Sequence, residues 1–188
     1  ESLRFLFNHI EELDQPEFGS YFKDFLEIMA VRYAEGRLFT EEDIIKKYGD
    51  IPVYAFNFID YILWKNREEL GRKYKGVKFD HFKFAYRRSI EHWFPQHPNS
   101  DEKIEKMDDQ FLHSFGNLCI ITDSQNSKFG NLVPSAKYKQ WEGIFDRQSL
   151  KLQIMANITE KTKWESYQIK GLEKEILPMV KRFIESKS

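Results

Sequence analysis

Along the first part of the chain, apolar side chains recur every three or four positions, which is the spacing of one helix face. The pattern predicts two amphipathic helices, the second of which ends near Gly36. Thr40 is a good N-cap for a short third helix over residues 41–48. Pro52 is suited to open a fourth helix, which ends near Gly71. We interpret these apolar stripes as a helical core, which is far commoner than a cofactor slot with the same spacing.

The hydrophobic period changes after Gly76. Short strands are predicted at residues 89–93 and 118–122, and the polar stretch 96–109 between them predicts a loop. After the second strand, Asp123 or Ser124 is expected to cap a short helix that ends at Gly130. The local order is therefore strand, loop, strand, helix.

The C-terminal part of the chain returns to helical spacing. A helix is predicted to begin at Pro134, and residues 164–184 form a second helical stretch. We expect that stretch to be interrupted by Gly171 and kinked by Pro178. Taken together, the patterns predict an α+β chain that is mostly α-helical, with a small two-stranded element.

Composition narrows the class of protein. The chain has 188 residues, 41% of them hydrophobic, which is enough for a packed core. Its single cysteine, Cys119, excludes an internal disulfide and a cysteine-rich zinc site, and it fits a cytoplasmic, reducing environment. No apolar run approaches the roughly 20 residues that span a bilayer, so no membrane partner is expected. The first residue is Glu1 and not Met, which leads us to expect an excised fragment of a longer protein.

Three short motifs carry the candidate chemistry. They read IEHWFPQ at residues 90–96, GNL at 116–118 and QNSK at 125–128. An acidic residue stands beside a histidine, a proline follows three positions on, and two asparagines lie nine apart. A neutral imidazole can accept a proton near pH 7, and carboxylate and amide oxygens suit a hard cation. These are the parts that metal-dependent phosphodiester hydrolysis needs. The net charge of −1 means that phosphate contacts must come from local clusters.

Residues 90–135, about a quarter of the chain, resemble the HNH, or ββα-metal, nuclease core. More closely, they are similar to the C-terminal nuclease domain of GmrSD-type, modification-dependent restriction enzymes, which often show the order EH-x-x-PQ, GNL and N-x-K. The resemblance implies a helical bundle packed around a ββα-metal core. It divides the chain into a helical linker or support region, 1–75, and an HNH-type nuclease domain, 76–188. No DGQQR-like motif is present, so the family's upstream nucleotide-handling sensor domain is expected elsewhere in the full-length protein.

The resemblance also implies residue roles. His92 would be the general base, and Asn117 would hold the loop backbone and so aim His92. Glu91 and Asn126 would bind one divalent ion, Mg²⁺ or Mn²⁺, because hard cations take oxygen ligands and keep several waters. Candidate contacts to DNA phosphates are Arg87, Arg88, Lys128 and Lys137. The implied function is DNA cleavage in restriction of foreign or modified DNA, with DNA as partner.

Several alternatives stay open at this stage. In a regular strand Glu91 and His92 point to opposite faces, so both serve one site only if the strand ends there. The alternative for Asn126 is a helix-capping amide, and His113 is expected in a solvated loop, with an approach to the site from that loop as its alternative. A binding or scaffold module that retains the HNH frame, or a nuclease acting on RNA, would fit the same motifs. The sequence also leaves open whether two chains pair as a homodimer.

Overall fold

The computed structural model describes residues 1–34, 36–99 and 106–187. Two short strands and a set of helices surround one hydrophobic core. The helices are α1 (Ser2–Asn8), α2 (Phe18–Ala34), α3 (Val53–Lys65), α4 (Arg67–Lys73), α5 (Asp109–Leu112), α6 (Asp123–Phe129), α7 (Pro134–Trp141), α8 (Leu150–Lys161) and α9 (Ser166–Glu185), and the strands are β1 (Ser89–His92) and β2 (Leu118–Ile121). This confirms the prediction of a mostly helical α+β fold. Within the described residues, none of these helices combines the length and the apolarity needed to cross a bilayer.

The two predicted strands and the helix that follows them are present. The loop predicted at residues 96–109 lies partly outside the described residues, and its last position, Asp109, begins α5. β1 pairs with β2 antiparallel, with Ser89 opposite Ile121 and His92 opposite Leu118. α6 follows β2 directly and packs against β1. Its N-cap is Thr122, whose hydroxyl accepts a hydrogen bond from the Gln125 amide at 3.4 Å, and not Asp123 or Ser124 as the sequence indicated. This short ββα unit forms the frame of the candidate site.

The prediction of a helix over residues 41–48 is wrong. Thr40 uses its capping groups to close a turn: its amide donates to the Ile44 carbonyl at 2.8 Å, and its hydroxyl accepts from the Ile44 amide at 3.3 Å. Phe39 and Ile45 then form an isolated antiparallel bridge, and Asp43 takes a φ of 61°. A helix cannot contain that left-handed residue, so the segment crosses the surface as a loop.

A central helix, α8, was not apparent from the sequence. All residues of its first two turns, Leu150–Asn157, are buried, including polar ones such as Lys151. Because the helix is covered on every side, it has no polar face and lacks the amphipathic period that reveals surface helices. The Lys151 ammonium group is satisfied by the backbone carbonyls of Phe115 and Leu118, at the start of β2.

The last helix, α9, runs without interruption through Gly171 and Pro178, contrary to the predicted break. Nothing crowds Gly171, and Pro178 is exposed, so the lost hydrogen bond at the proline lies at the surface. α3 packs against β2, α8 and α9. Residues on both sides of the boundary expected at residue 75 therefore contribute to the same core.

Candidate active site

A surface cavity of about 360 Å³ opens beside the ββα unit. Three of the residues singled out by the sequence line it together: Glu91 and His92 from β1, and Asn126 from α6. The lining also includes Tyr48 from the loop that replaces the predicted third helix, and Gln96 and His97 from the loop after β1. We take this cavity as the candidate active site.

The end of β1 explains how two adjacent residues line one cavity. The strand stops at His92, and its pairing is continued by Asn117 instead of by a further strand residue. The Trp93 amide donates to the Asn117 backbone carbonyl at 2.8 Å, and the Phe94 amide donates to the Asn117 side-chain oxygen at 2.9 Å. The chain leaves the strand immediately after His92. The rule that neighbouring side chains of a strand point to opposite faces therefore does not keep His92 and Glu91 out of one cavity.

Asn117 is fully buried and braces this turn. Its side-chain nitrogen donates to the carbonyls of Phe94 at 3.0 Å and Leu112 at 2.9 Å. Its side-chain oxygen also accepts from the Trp164 indole at 3.1 Å. The amide thus connects three separate parts of the chain behind His92, and it does not line the cavity.

Gly116 is required by close packing. A Cβ atom at this position would lie 2.4 Å from the Ile169 carbonyl oxygen on α9, which is far too close for a real contact. The Gly116 amide donates to the Glu173 carboxylate at 2.8 Å. The Gly-Asn-Leu motif therefore combines a glycine that lets α9 approach, an asparagine that braces the turn, and Leu118, which is completely buried.

Glu91 forms an ion pair with Lys137 of α7 at 2.6 Å, and both residues are buried. The same ammonium group donates to the carbonyls of His92 at 2.8 Å and Trp93 at 2.9 Å. Burial raises the pKa of the Glu91 carboxyl, and the neighbouring Lys137 charge opposes that rise. Burial lowers the pKa of Lys137, against the opposing effect of Glu91. The pair engages one carboxylate oxygen of Glu91, and Glu91 is also one of the residues that line the cavity.

His92 is 6% exposed, and burial lowers its pKa to about 4, with help from nearby His113 and Lys137. The imidazole is therefore neutral at pH 7, as a proton acceptor must be. Its Nε2 lies 3.1 Å from Nδ1 of His113, and its Nδ1 lies 3.3 Å from the side-chain nitrogen of Gln96. The Tyr48 ring packs edge-on against it, with the ring centres 4.4 Å apart.

Asn126 is exposed on α6 and points back toward β1, where its side-chain nitrogen donates to the Ser89 hydroxyl at 2.7 Å. That bond fixes the amide and leaves its oxygen as an acceptor. The helix-capping role that the sequence left open belongs to Thr122 instead. Asn126 therefore has the chemistry of an oxygen ligand at the cavity wall.

The donors fit a hard divalent cation. Glu91 offers a carboxylate oxygen and Asn126 an amide oxygen, which is a sparse set of the kind that Mg²⁺ completes with water. Among the described residues, no group of three or more His, Cys, Asp or Glu side chains converges as a metal cluster. The donor set therefore suits Mg²⁺ or Mn²⁺ better than a structural zinc ion.

The four basic residues proposed for phosphate contacts lie in two different environments. Arg87 is buried and donates to the Arg147 carbonyl at 2.9 Å, and Lys137 is buried in the ion pair with Glu91. Arg88 is exposed and pairs with Asp123 at 2.6 Å, and Lys128 is exposed on α6. In this structure only the exposed pair reaches the solvent that DNA would occupy.

Two residues of the site were missed as functional candidates. His113 was expected in a solvated loop, yet it contacts His92, and Tyr48 was expected on a helix, yet it lines the cavity. Neither carries a local sequence signal, because each approaches from a segment remote from β1. An isolated histidine or tyrosine gives no indication of its partner until the chain is folded.

The chain matches a known protein family. Residues 39–178 match the family described as GmrSD restriction endonucleases, C-terminal domain. The matched region contains both strands, α6 and every residue that lines the cavity. No curated protein and no solved structure matches the chain.

Proposed function

This chain belongs to the family of GmrSD restriction endonuclease C-terminal domains, and we propose that it is a metal-dependent endonuclease that hydrolyses DNA phosphodiester bonds. The observation that carries the proposal is the single cavity on a ββα frame. It collects the imidazole of His92, the carboxylate of Glu91 and the amide of Asn126. The HNH assignment, the metal ion and DNA as substrate are all parts of this proposal.

In the proposed reaction, His92 accepts a proton from a water molecule as the water oxygen forms a bond to phosphorus. The ester bond to the leaving sugar oxygen breaks, and that oxygen takes the electron pair. A Mg²⁺ or Mn²⁺ ion, held by Glu91 and Asn126, would supply charge stabilisation to the leaving oxygen. Asn117 keeps the turn after β1 fixed, so the imidazole does not have to reorganise during the reaction.

DNA would be held mainly through its phosphates. Arg88 and Lys128 are the proposed contacts, because both are exposed: Arg88 directly precedes β1 and Lys128 lies on α6, the two elements that carry Glu91, His92 and Asn126. The ion pair of Arg88 with Asp123 is at the surface, so exchanging the carboxylate for a phosphate costs little. Arg87 and Lys137 are left out of this set because the protein itself satisfies both cations.

As biological role we propose restriction of foreign or modified DNA, with an upstream nucleotide-handling sensor domain as partner in the full-length protein. The sequence contains no phosphate-binding G-x-x-x-x-G-K-[ST] loop. These 188 residues should therefore cut DNA without nucleotide and with little preference for modified bases. Pairing of two chains as a homodimer would allow both DNA strands to be cut.

The proposal is tested by incubating supercoiled plasmid with the purified chain and Mg²⁺ or Mn²⁺, with and without EDTA. We expect nicking that needs the metal and that His92→Ala lowers by about 10²–10⁴-fold, the usual contribution of a general base. The matched control is His81→Ala, which removes an exposed imidazole outside the cavity. Equal nicking by His92→Ala and His81→Ala would overturn the assignment.

Structured RNA and unmodified or glucosylated phage DNA are included in the same assay. Cleavage of RNA but not of DNA would show that the substrate is RNA. Salt-dependent DNA binding without cleavage would indicate a binding module. Strong discrimination between the two phage DNAs, or a requirement for GTP or ATP, would place the sensor within this chain.

A further inference from the structure

A second histidine contacts the His92 ring at one of its two nitrogens. Nε2 of His92 lies 3.1 Å from Nδ1 of His113, and the two ring planes are nearly perpendicular, at 84°. On the other edge of the ring, Nδ1 of His92 faces the side-chain nitrogen of Gln96 at 3.3 Å. Gln96 lines the cavity and His113 does not. The two nitrogens of His92 therefore have different partners, of which Gln96 is a cavity-lining residue.

We propose that His113 is a positioning residue that holds His92 in the tautomer protonated on Nε2. The lone pair of Nδ1 is then left on the side of Gln96, whose amide occupies it until a water molecule displaces that amide. A neutral imidazole carries one proton, and the hydrogen bond made by one nitrogen decides the state of the other. The amide nitrogen of Gln96 can only donate, so Nδ1 of His92 accepts and is unprotonated. Nε2 then carries the proton and donates a hydrogen bond to Nδ1 of His113. This inference rests on the proposed nuclease function and names the nitrogen that accepts the proton from water.

His113 is itself held in place. His113 is the C-cap of α5, where its amide donates to the carbonyl of Asp109, the first residue of that helix, and its own carbonyl accepts from the Tyr48 amide at 3.0 Å. The Tyr48 ring stacks on His113, at 21° and 6.0 Å between ring centres, and also packs against His92. The acceptor therefore stays fixed relative to His92, and Tyr48 closes the pair on one side.

The test measures the tautomer directly, by long-range ¹H–¹⁵N correlation NMR of the ¹⁵N-histidine-labelled full chain without metal or DNA. We expect His92 to show a protonated Nε2 and an unprotonated Nδ1. His113→Leu removes the acceptor and should let the Nδ1-protonated form appear. His113→Asn keeps an acceptor oxygen the same number of bonds from the backbone and should retain the wild-type pattern. His81→Leu is the control for loss of an exposed histidine.

Cleavage kinetics give a second readout. His113→Leu should lower kcat by about 10- to 100-fold, a part of the 10²–10⁴-fold that a general base contributes. KM for DNA should change by less than about twofold, since His113 does not line the cavity, and His113→Asn should recover most of the loss. Nδ1 protonation in the wild type, or unchanged tautomer and kcat in His113→Leu, would overturn the proposal. Absence of cleavage with the expected tautomer shift would support the role of His113 and contradict the nuclease function alone.

Discussion

Lys137 donates a 2.6 Å hydrogen bond to Glu91 from a position with no solvent exposure. The lysine lies on α7, 46 residues beyond the glutamate, and the same ammonium group also binds the carbonyls of His92 and Trp93. One cation thus holds the carboxylate proposed as metal ligand and the backbone at the end of β1. The geometry assigns Lys137 to the internal support of the site.

Replacing Lys137 should therefore affect folding before it affects DNA binding. Lys137→Met leaves the Glu91 carboxylate buried without a partner, and such a change costs about 3–5 kcal/mol of unfolding free energy. Lys139→Met, an exposed position on the same helix, should stay within about 0.5 kcal/mol of the wild type. Urea unfolding of both variants measures the difference. Unchanged stability of Lys137→Met together with weaker DNA binding would instead indicate a phosphate contact.

The two asparagines should separate into a folding role and a metal role. Asn117→Ala leaves two N–H groups and two carbonyls without their buried partner, at about 1–3 kcal/mol for each unsatisfied group. We expect it to lose at least about 3 kcal/mol of stability. Asn126→Ala, at an exposed position, should fold normally and bind Mn²⁺ more weakly. Thermal unfolding and calorimetric titration with Mn²⁺ test both, and wild-type Mn²⁺ affinity in Asn126→Ala would remove it from the ligand set.

Alanine should lower the stability of the protein at Gly116, which packs against α9, and raise it at Gly171, which lies within α9. Gly116→Ala would bring a methyl group within 2.4 Å of the Ile169 carbonyl, so it should cost about 1–3 kcal/mol or more. Gly171→Ala meets no atom within 4 Å and lies inside a helix, so it should stabilise the protein by about 0.5–1 kcal/mol. Chemical denaturation gives both values. A neutral Gly116→Ala would mean that α9 does not approach this turn as closely as the structure shows.

A buried carboxylate outside the cavity gives a pH-dependent prediction. Burial by itself raises the pKa of Glu27, but hydrogen bonds from Lys187, Tyr61 and Lys65 outweigh it and lower the pKa to about 2. Because this folded-state pKa lies below the ordinary value of 4.5, the ionised group stabilises the fold above about pH 4.5. That contribution is lost as the pH falls from about 4.5 toward 2.

Glu27→Gln should therefore lower the thermal midpoint by a few degrees at pH 7. The gap in thermal midpoint to the wild type should narrow as the pH falls below about 4.5 and nearly close at about pH 2. Glu17→Gln, an exposed position just before α2, is the control and should give no gap at either pH. Melting curves across this pH range provide the measurement. A gap that widens on acidification would show that the carboxylate is not ionised in the folded protein at neutral pH.

The sequence alone determined the parts of the site that lie close together along the chain. The order of β1, β2 and α6, and the residues Glu91, His92 and Asn126, were all identified from short motifs. Strand alternation, caps and turn glycines act over a few residues, so a local pattern contains the information for this unit. The expectation that Asn117 holds the loop backbone was also based on a local pattern, because the Gly-Asn-Leu motif leads directly into β2.

Tertiary structure decided everything that depends on partners far along the chain. Burial turned Lys137 from a surface candidate into an internal cation, and the pairing of His113 with His92 brought together segments 21 residues apart. The fully covered helix α8 and the turn at Thr40 were likewise not visible in the pattern. The physical reason is that burial and hydrogen-bond partners are properties of packed elements, whereas sequence periodicity records only which face of one element avoids water.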